Sequence, residues 1–363
     1  MNKKLNNYLI INRIIIIMLG QFYTKNANYI LNDGLGLVIN NNDEIIESFA
    51  GEGDLIKWLR DKINFKGIIE SYDIEPKNSE IIKRDTLLNP PNYDNKIIIT
   101  NPPYLARNKN NNKEIYNLYK TNDLYKCFIY SFIYYNYKGG IIILPSGFLL
   151  SNREIDNKCR NIFMERNKII KIRFFEEIVF EKTAITIIAI SFMRSDNKLS
   201  YQKVKWEFMP KNEIKEFEMI KENNWIIGGE IYKLPINNKI KIRRFIQGEN
   251  IKDNEQLLNI TLNALDGGNM NNRICLRYKE GYIYEGKITS RSYATLIISG
   301  YKKMDNNEQI ILCDKFNDFI EKKREELKSL FLPQYREIKE YSRKRIPFEL
   351  AYKIINYLLN STN

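Results

Sequence analysis

Short apolar runs alternate with longer segments of helical periodicity from about residue 44 onward. Gly, Asp, Asn or Pro bound the runs, which is typical of buried strands. Helical periodicity appears between them, notably over residues 53–63 and 124–135. This alternation predicts a parallel α/β sheet. The strand candidates are residues 44–49, 67–72, 97–100, 140–144, 169–175 and 184–192.

The pattern changes after about Arg194. The sequence becomes polar and charged, with irregular strand candidates, a Gly267-Gly268 pair and a strongly charged helix predicted over residues 314–328. A composition shift of this kind is typical of a domain boundary. We therefore expect a first domain over residues 18–194 and a second over residues 195–363.

The N-terminus carries an apolar stretch over residues 8–19. Asn12 and Arg13 interrupt it and no small-residue cleavage site follows, so a signal peptide is not predicted. Met18 lies just before Gly20, which leads to the hypothesis that residues 1–17 are a non-native extension. We expect a soluble, intracellular protein with no membrane contact.

The chain of 363 residues contains no histidine. Serine and cysteine hydrolase triads, His-containing zinc sites and histidine general bases are therefore excluded. The four cysteines include no C-x-x-C pair, so no metal site is expected. The 57 Lys+Arg against 44 Asp+Glu give a formal charge of +13. This charge suits a nucleic-acid partner, although an AT-rich coding sequence also raises lysine.

Two glycines, Gly51 and Gly53, stand where the first apolar strand turns into a helix. Such a turn lets the backbone pass close to a ligand, but it is weak evidence when taken alone. Twenty residues after Gly53, the next strand ends in Asp73-Ile74. An acidic residue there can hold ribose hydroxyls while the isoleucine packs on an adenine ring. Together the two sites favour an adenosine-containing cofactor.

The sequence Asn101-Pro102-Pro103-Tyr104 follows the apolar strand over residues 96–100. The prolines fix an extended turn and leave backbone carbonyls free to accept hydrogen bonds. The side-chain oxygen of Asn101 and the carbonyl of Pro102 can each accept one proton of an NH₂ group, and Tyr104 can stack on the ring that bears it. A second copy, Asn89-Pro90-Pro91-Asn92, lacks the aromatic residue and is interpreted as a turn.

Methylation of an aromatic amine needs this arrangement because the nitrogen lone pair is delocalised into the ring. Two acceptors shift electron density back onto the nitrogen, and S-adenosylmethionine supplies an electrophilic methyl group. Positioning for in-line attack then provides much of the acceleration. The reaction requires neither a metal ion nor histidine.

These motifs resemble those of the gamma class of N6-adenine DNA methyltransferases, which are type II modification enzymes, and most closely the short-site enzymes of large DNA viruses. Three further stretches also resemble sequences of this family, and these are residues 81–87, 123–128 and 291–296. The resemblance implies a Rossmann-like S-adenosylmethionine-dependent methyltransferase fold with a mostly parallel twisted sheet. A C-terminal α+β target-recognition domain is implied after it.

The resemblance also implies roles for individual residues. Thr24, Glu47 and Phe49 would line the methionine end of the cofactor, and Phe180 would form a second wall against the flipped base. One departure from the family is Lys25, which stands where many members have proline. Asp85 would accept a hydrogen bond from the adenine amino group of the cofactor, and Ile74 and Pro103 would pack on the adenine ring. The full set of cofactor-binding candidates is Thr24, Glu47, Phe49, Gly51, Gly53, Asp73, Ile74, Asp85 and Pro103.

Double-stranded DNA is the expected partner, and the target base must be flipped out to reach the pocket. Basic residues interleaved with aromatics over residues 273–284, 287–301 and 335–345 are candidates for phosphate and base contacts, although 336–345 is equally consistent with a solvated helical face. The resemblance implies that the recognised site is a short palindrome, such as TCGA, and that the protein is a monomer. It also implies a separate cognate restriction endonuclease as a candidate partner. For a viral enzyme, the expected location is the host cytoplasm or nucleus.

Three alternatives remain open at this point. A protein-glutamine methyltransferase would use the same pocket on a carboxamide, and an RNA methyltransferase would share the basic charge. A DNA-binding subunit without catalytic activity is the third. The intact motifs at 47–53 and 101–104 argue against the last, and the long C-terminal half argues against the first.

Overall fold

The computed structural model describes residues 24–180, 185–266, 273–335 and 343–360. It divides into two compact units, Met1–Trp225 and Ile226–Asn363. The predicted extension over residues 1–17 and most of the candidate contact segment 336–345 lie outside the described residues. Each unit has its own sheet.

The first unit is built on a nine-stranded sheet in the order β3-β2-β1-β4-β5-β7-β6-β8-β9. Strand β1 pairs in parallel with both β2 and β4, and β4 pairs in parallel with β5. Strand β7 is antiparallel to its neighbours β5 and β6. The strands are β1 (Glu44–Glu47), β2 (Ile68–Asp73), β3 (Ile82–Lys83), β4 (Lys96–Thr100), β5 (Gly139–Pro145), β6 (Asn167–Phe175), β7 (Ile187–Arg194), β8 (Tyr201–Met209) and β9 (Glu213–Ile220).

The central strands are buried on both faces, since consecutive residues, whose side chains point to opposite faces, are all buried. All five residues of β4 are buried, as are the first six of β5. Parallel strands covered on both faces have near-continuous apolar sequences, which explains why these runs were visible in the sequence. The predicted Rossmann-like fold, with its mostly parallel sheet, is confirmed.

The helices of the first unit connect these strands. Helix α2 begins after Gly53, whose φ of 86° lies in the left-handed region, and α4 begins after Asp123. The helices are α1 (Ala27–Leu31), α2 (Asp54–Asp61), α3 (Glu114–Leu118), α4 (Leu124–Phe132), α5 (Gly147–Leu150) and α6 (Glu154–Arg166).

The boundary between the units differs from the predicted one. It falls between Trp225 and Ile226 rather than after Arg194, because β8 pairs in parallel with β6 and β9 pairs with β8. Residues of β8 alternate between exposed and buried, so one face of this strand packs on the first core. The exposed positions of β8 are polar, so the sequence after Arg194 resembled the start of a new domain.

The second unit has a four-stranded antiparallel sheet in the order β10-β13-β11-β12. Buried apolar residues of this sheet, including Ile260 and Leu296, share one core with Phe316 and Ile354 from two long helices. The unit is therefore α+β. Its elements are β10 (Lys241–Arg244), β11 (Glu255–Asn263), β12 (Cys275–Tyr278), β13 (Tyr293–Ser299), α7 (Asn306–Leu327), β14 (Gln334–Tyr335), β15 (Arg343–Lys344) and α8 (Phe348–Asn360).

Helix α7 is longer than the predicted 314–328 segment. It begins at a capping box in which Asp305 and Glu308 bond reciprocally to each other's backbone N–H groups. Across the described ranges, we find no helix with the length and apolar character needed to cross a bilayer.

Candidate active site

The site lies where β1, β2 and β4 end, because the carboxyl ends of neighbouring parallel strands share one edge of the sheet. A cavity of about 280 Å³ opens there. Seven of the predicted residues line it, and these are Phe49, Gly51, Asp73, Ile74, Asp85, Asn101 and Pro103. The structure therefore brings these seven residues, from distant segments of the chain, together at one cavity.

Asp73 ends β2 and is held by the backbone. One carboxylate oxygen accepts a hydrogen bond from the Gly51 N–H at 2.8 Å, and the other accepts from the Glu75 N–H at 2.8 Å. The φ of Gly51 is 55°, in the left-handed region that favours glycine. These bonds tie the glycine turn after β1 to the end of β2.

Glu47 ends β1 and is completely buried. Its Oε1 accepts hydrogen bonds from the Thr100 hydroxyl at 2.6 Å and from the Phe49 N–H at 3.1 Å. Its Oε2 is buried and has no hydrogen-bond partner among the described residues. Burial raises the pKa of Glu47 to about 8. A buried carboxylate with one unpartnered oxygen is suited to receive a cationic group.

Asn101 and Tyr104 are buried and bonded to each other. The Tyr104 hydroxyl donates to Asn101 Oδ1 at 2.5 Å and to the Ile143 carbonyl at 2.9 Å. The Tyr104 ring meets Tyr125 edge-on, with centroids 6.3 Å apart, and burial raises the pKa of Tyr104. Its ring thus faces the protein interior in this structure.

Thr24 joins this group from the start of the described chain. The Asn101 amide nitrogen donates to the Thr24 hydroxyl at 3.0 Å, and both residues are buried. Pro102 is buried beside them. The structure therefore brings Thr24, far away in sequence, to the amide of the Asn-Pro-Pro-Tyr motif.

Phe180 is buried and is the last residue before a segment outside the described ranges. It does not belong to the described residues that line the cavity, and neither do Thr24, Glu47, Gly53, Pro102 and Tyr104. The wall against a flipped base therefore stays a prediction for Phe180.

Several lining residues were not predicted as site residues. Leu87 and Leu88 come two and three residues after Asp85, and both of their N–H groups donate to Asp85 Oδ1 at 3.0 Å. Leu124 lies in the stretch 123–128, which resembles the family. Leu87, Leu88 and Leu124 could therefore have been identified by their proximity to the recognised motifs. The segment after Tyr104 gave no such signal. The unpredicted residues are Arg84, Thr86, Leu87, Leu88, Asn110, Asn112, Glu114, Ile115 and Leu124.

The second Asn-Pro-Pro copy has a structural role. The carbonyls of Asn89 and Pro90 accept hydrogen bonds from the Arg84 guanidinium at 2.8 and 3.0 Å. Arg84 also lies over the Tyr72 ring, 5.3 Å from its centroid. The free carbonyls of this turn are thus used to hold an arginine at the rim of the cavity. No group of three His, Cys, Asp or Glu side chains within the described part is placed to hold a metal ion.

Several solved structures are similar to the chain at low identity. The modification subunit of a putative type I restriction enzyme from Vibrio vulnificus is 15% identical, with a TM-score of 0.39, over 53% of this chain and 48% of that one. A putative class I S-adenosylmethionine-dependent methyltransferase from Listeria monocytogenes is 14% identical, with a TM-score of 0.38, over 50% and 62%. The type IIG restriction endonuclease BpuSI is 13% identical, with a TM-score of 0.40, over 64% and 36%.

The chain thus spans about half the length of the first of these structures. No curated protein sequence matches it. A family model does match, and its match includes every residue discussed above for this site. Residues 21–180 match the Eco57I restriction-modification methylase family.

Proposed function

We propose that this protein transfers a methyl group from S-adenosylmethionine to the N6 amino group of an adenine flipped out of duplex DNA. One observation carries the proposal: a single cavity is lined both by Asp73, Ile74 and Asp85, which suit an adenosine-containing cofactor, and by Asn101, which suits an aromatic amine. The match to a restriction-modification methylase family supports DNA as the substrate.

The residues that line the cavity, together with Glu47 at the end of β1, which does not line it, fit the cofactor chemically. Glu47 Oε2, buried and without a described partner, would accept the ammonium group of the methionine part. Asp73 would accept the ribose hydroxyls, since each carboxylate oxygen keeps a lone pair beyond its backbone bond. Ile74 and Pro103 would pack on the adenine ring, with Asp85 at its amino group. When bound, S-adenosylmethionine supplies a methyl group on a positively charged sulfur.

Asn101 and Pro102 would bind the target amine. Their two oxygens would each accept one N–H, raise the electron density on nitrogen and stabilise the positive charge that develops there. The Tyr104 hydroxyl now donates to Asn101 Oδ1. Stacking on the base would therefore require Tyr104 to leave its buried position, so we propose that base entry displaces this hydroxyl from Asn101.

The second unit is proposed to bind the duplex. Within its candidate segments, Arg273 is paired with Glu321, and just after residue 301 Lys302 is paired with Glu308. Lys287 and Arg291 are exposed, and across the described chain they make no ion pair. Phosphate contacts are therefore expected first from Lys287 and Arg291.

The recognised site and biological setting are further parts of the proposal. A short palindrome, with TCGA as the first candidate, follows from the resemblance of the motifs to viral gamma-class enzymes. We expect a monomer that acts on host or viral DNA in the cytoplasm or nucleus, alongside a separate cognate endonuclease.

The test offers purified protein and labelled S-adenosylmethionine to three acceptors: unmethylated duplex DNA, structured RNA, and a glutamine-containing peptide. The proposal predicts label in DNA, with at least about tenfold less in the other two. Label mainly in RNA or peptide would favour the corresponding alternative, and calorimetry showing no cofactor binding would favour a non-catalytic DNA-binding subunit. Asn101→Ala serves as the negative control.

A further inference from the structure

The Asn101 side chain is held at both ends of its amide. Its Nδ2 donates to the Thr24 hydroxyl at 3.0 Å, and its Oδ1 accepts from the Tyr104 hydroxyl at 2.5 Å. All three residues are at most 8% exposed. Each hydroxyl can donate or accept, so the two bonds together fix the position and the plane of the amide.

The orientation matters for the proposed reaction. With Oδ1 toward the target amine, Asn101 accepts an N–H. An amide that has moved from this position could not accept that N–H. A residue that holds the amide in place therefore controls how much of the protein is competent to react.

Tyr104 cannot keep this role during the reaction as proposed. Its hydroxyl has one proton and two acceptors, Asn101 Oδ1 and the Ile143 carbonyl. Its ring must also turn to stack on the base. The bond from Asn101 to Thr24 does not depend on where Tyr104 lies, so it can persist when the base enters.

Thr24 is itself anchored through its backbone. Its carbonyl accepts a hydrogen bond at 2.9 Å from the N–H of Ala27, the first residue of α1. Thr24 is thus held at the start of α1 while its side chain reaches Asn101.

We propose that Thr24 is a positioning residue that holds the Asn101 amide in place beside the target amine. This inference rests on the proposed function and deepens it. The resemblance to gamma-class enzymes places Thr24 on the methionine part of the cofactor instead. The two roles predict different measurements, because a cofactor contact sets affinity whereas an orienting contact sets the rate of transfer.

The experiment compares wild type, Thr24→Val and Thr24→Ser in the full-length protein. Calorimetry gives the Kd for S-adenosylmethionine, and single-turnover transfer at saturating cofactor gives the rate. Thr24→Val keeps the shape of the side chain but loses the hydroxyl. We expect its rate to fall about 10- to 100-fold, with the Kd within about twofold of wild type. Thr24→Ser restores the hydroxyl and should recover the rate to within about threefold.

Thr121→Val is the matched control, since Thr121 is also buried but its hydroxyl has no hydrogen-bond partner among the described residues. A weaker Kd with a wild-type rate in Thr24→Val would overturn the proposal in favour of a cofactor contact. A Thr24→Ser rate as low as that of Thr24→Val would overturn it as well. If wild type labels RNA or peptide but not DNA, the proposed substrate is wrong and the same rate ratio is measured on that acceptor. No transfer to any acceptor overturns both proposals.

Discussion

Two strand ends on either side of β1, those of β2 and β4, are held in different ways. At the end of β2, both oxygens of Asp73 accept backbone N–H groups. At the end of β4, the Asn101 amide is bonded to two side chains, those of Thr24 and Tyr104. The carboxylate is thus fixed by the chain itself, whereas the amide is fixed by contacts that can exchange. The comparison indicates a cofactor side that is preorganised and an amine side that rearranges when substrate enters.

The sharpest test of this comparison is Asn101→Ala. Removing the amide deletes an acceptor that acts on the developing charge, so turnover should fall by about 10³-fold. The Kd for S-adenosylmethionine should stay within about twofold, because the cofactor side is held separately. Calorimetry together with single-turnover transfer measures both quantities. A comparable loss of cofactor affinity would show that the two sides are not independent.

Asp73→Ala should have the reverse effect. Loss of hydrogen bonds to a charged group should raise the Kd for S-adenosylmethionine by about 10- to 100-fold. The rate at saturating cofactor should change by less than about fivefold. Glu75→Ala is the acidic control, since Glu75 contributes its N–H to Asp73 while its own carboxylate is half-exposed. If the rate falls more than the affinity, Asp73 acts on the amine side.

Glu47 gives a pH test of the cofactor side. Burial raises its pKa to about 8, so it is mostly protonated at neutral pH and must lose a proton to receive a cation. Cofactor affinity should therefore rise up to about tenfold per pH unit as pH increases toward 8. Titration calorimetry from pH 6 to 8 measures this slope. Glu47→Gln should flatten it, and an equal slope in both proteins would assign the pH dependence to another group.

The smallest effect is expected for Asn89→Ala, in the second Asn-Pro-Pro copy. Its backbone carbonyl holds Arg84 and survives the substitution, whereas its side chain adds only a partly exposed bond of 3.3 Å. Turnover and cofactor Kd should each stay within about twofold of wild type. A large loss of turnover would mean that this copy, too, takes part in the chemistry.

Much of the sheet could be predicted from the sequence because its central strands are buried on both faces. The isoleucine runs of β4 and β5 leave little ambiguity, whereas β8 alternates and was assigned to the wrong side of the domain boundary. Helix α8, over Phe348–Asn360, was not predicted at all. The placement of an alternating strand such as β8, and the formation of a helix such as α8, depend on the elements they pack against. The local sequence pattern does not contain that information.

The site could be predicted only as far as its residues follow strands. Asp73 and Asn101 come directly after β2 and β4, so topology alone brings them together. The bond between Asn101 and Thr24 joins residues 77 positions apart through side chains, and the buried position of Tyr104 depends on Tyr125 and Ile143. Such contacts are determined by packing rather than by spacing along the chain.

The most direct test of the central claim is the identity of the product. Unmethylated duplex DNA is incubated with the protein and labelled S-adenosylmethionine, digested to nucleosides and analysed by mass spectrometry. We expect N6-methyldeoxyadenosine as the labelled nucleoside in wild type, and about 10³-fold less of it in Asn101→Ala. Label on cytosine, or no label in DNA while cofactor binding is intact, would contradict it.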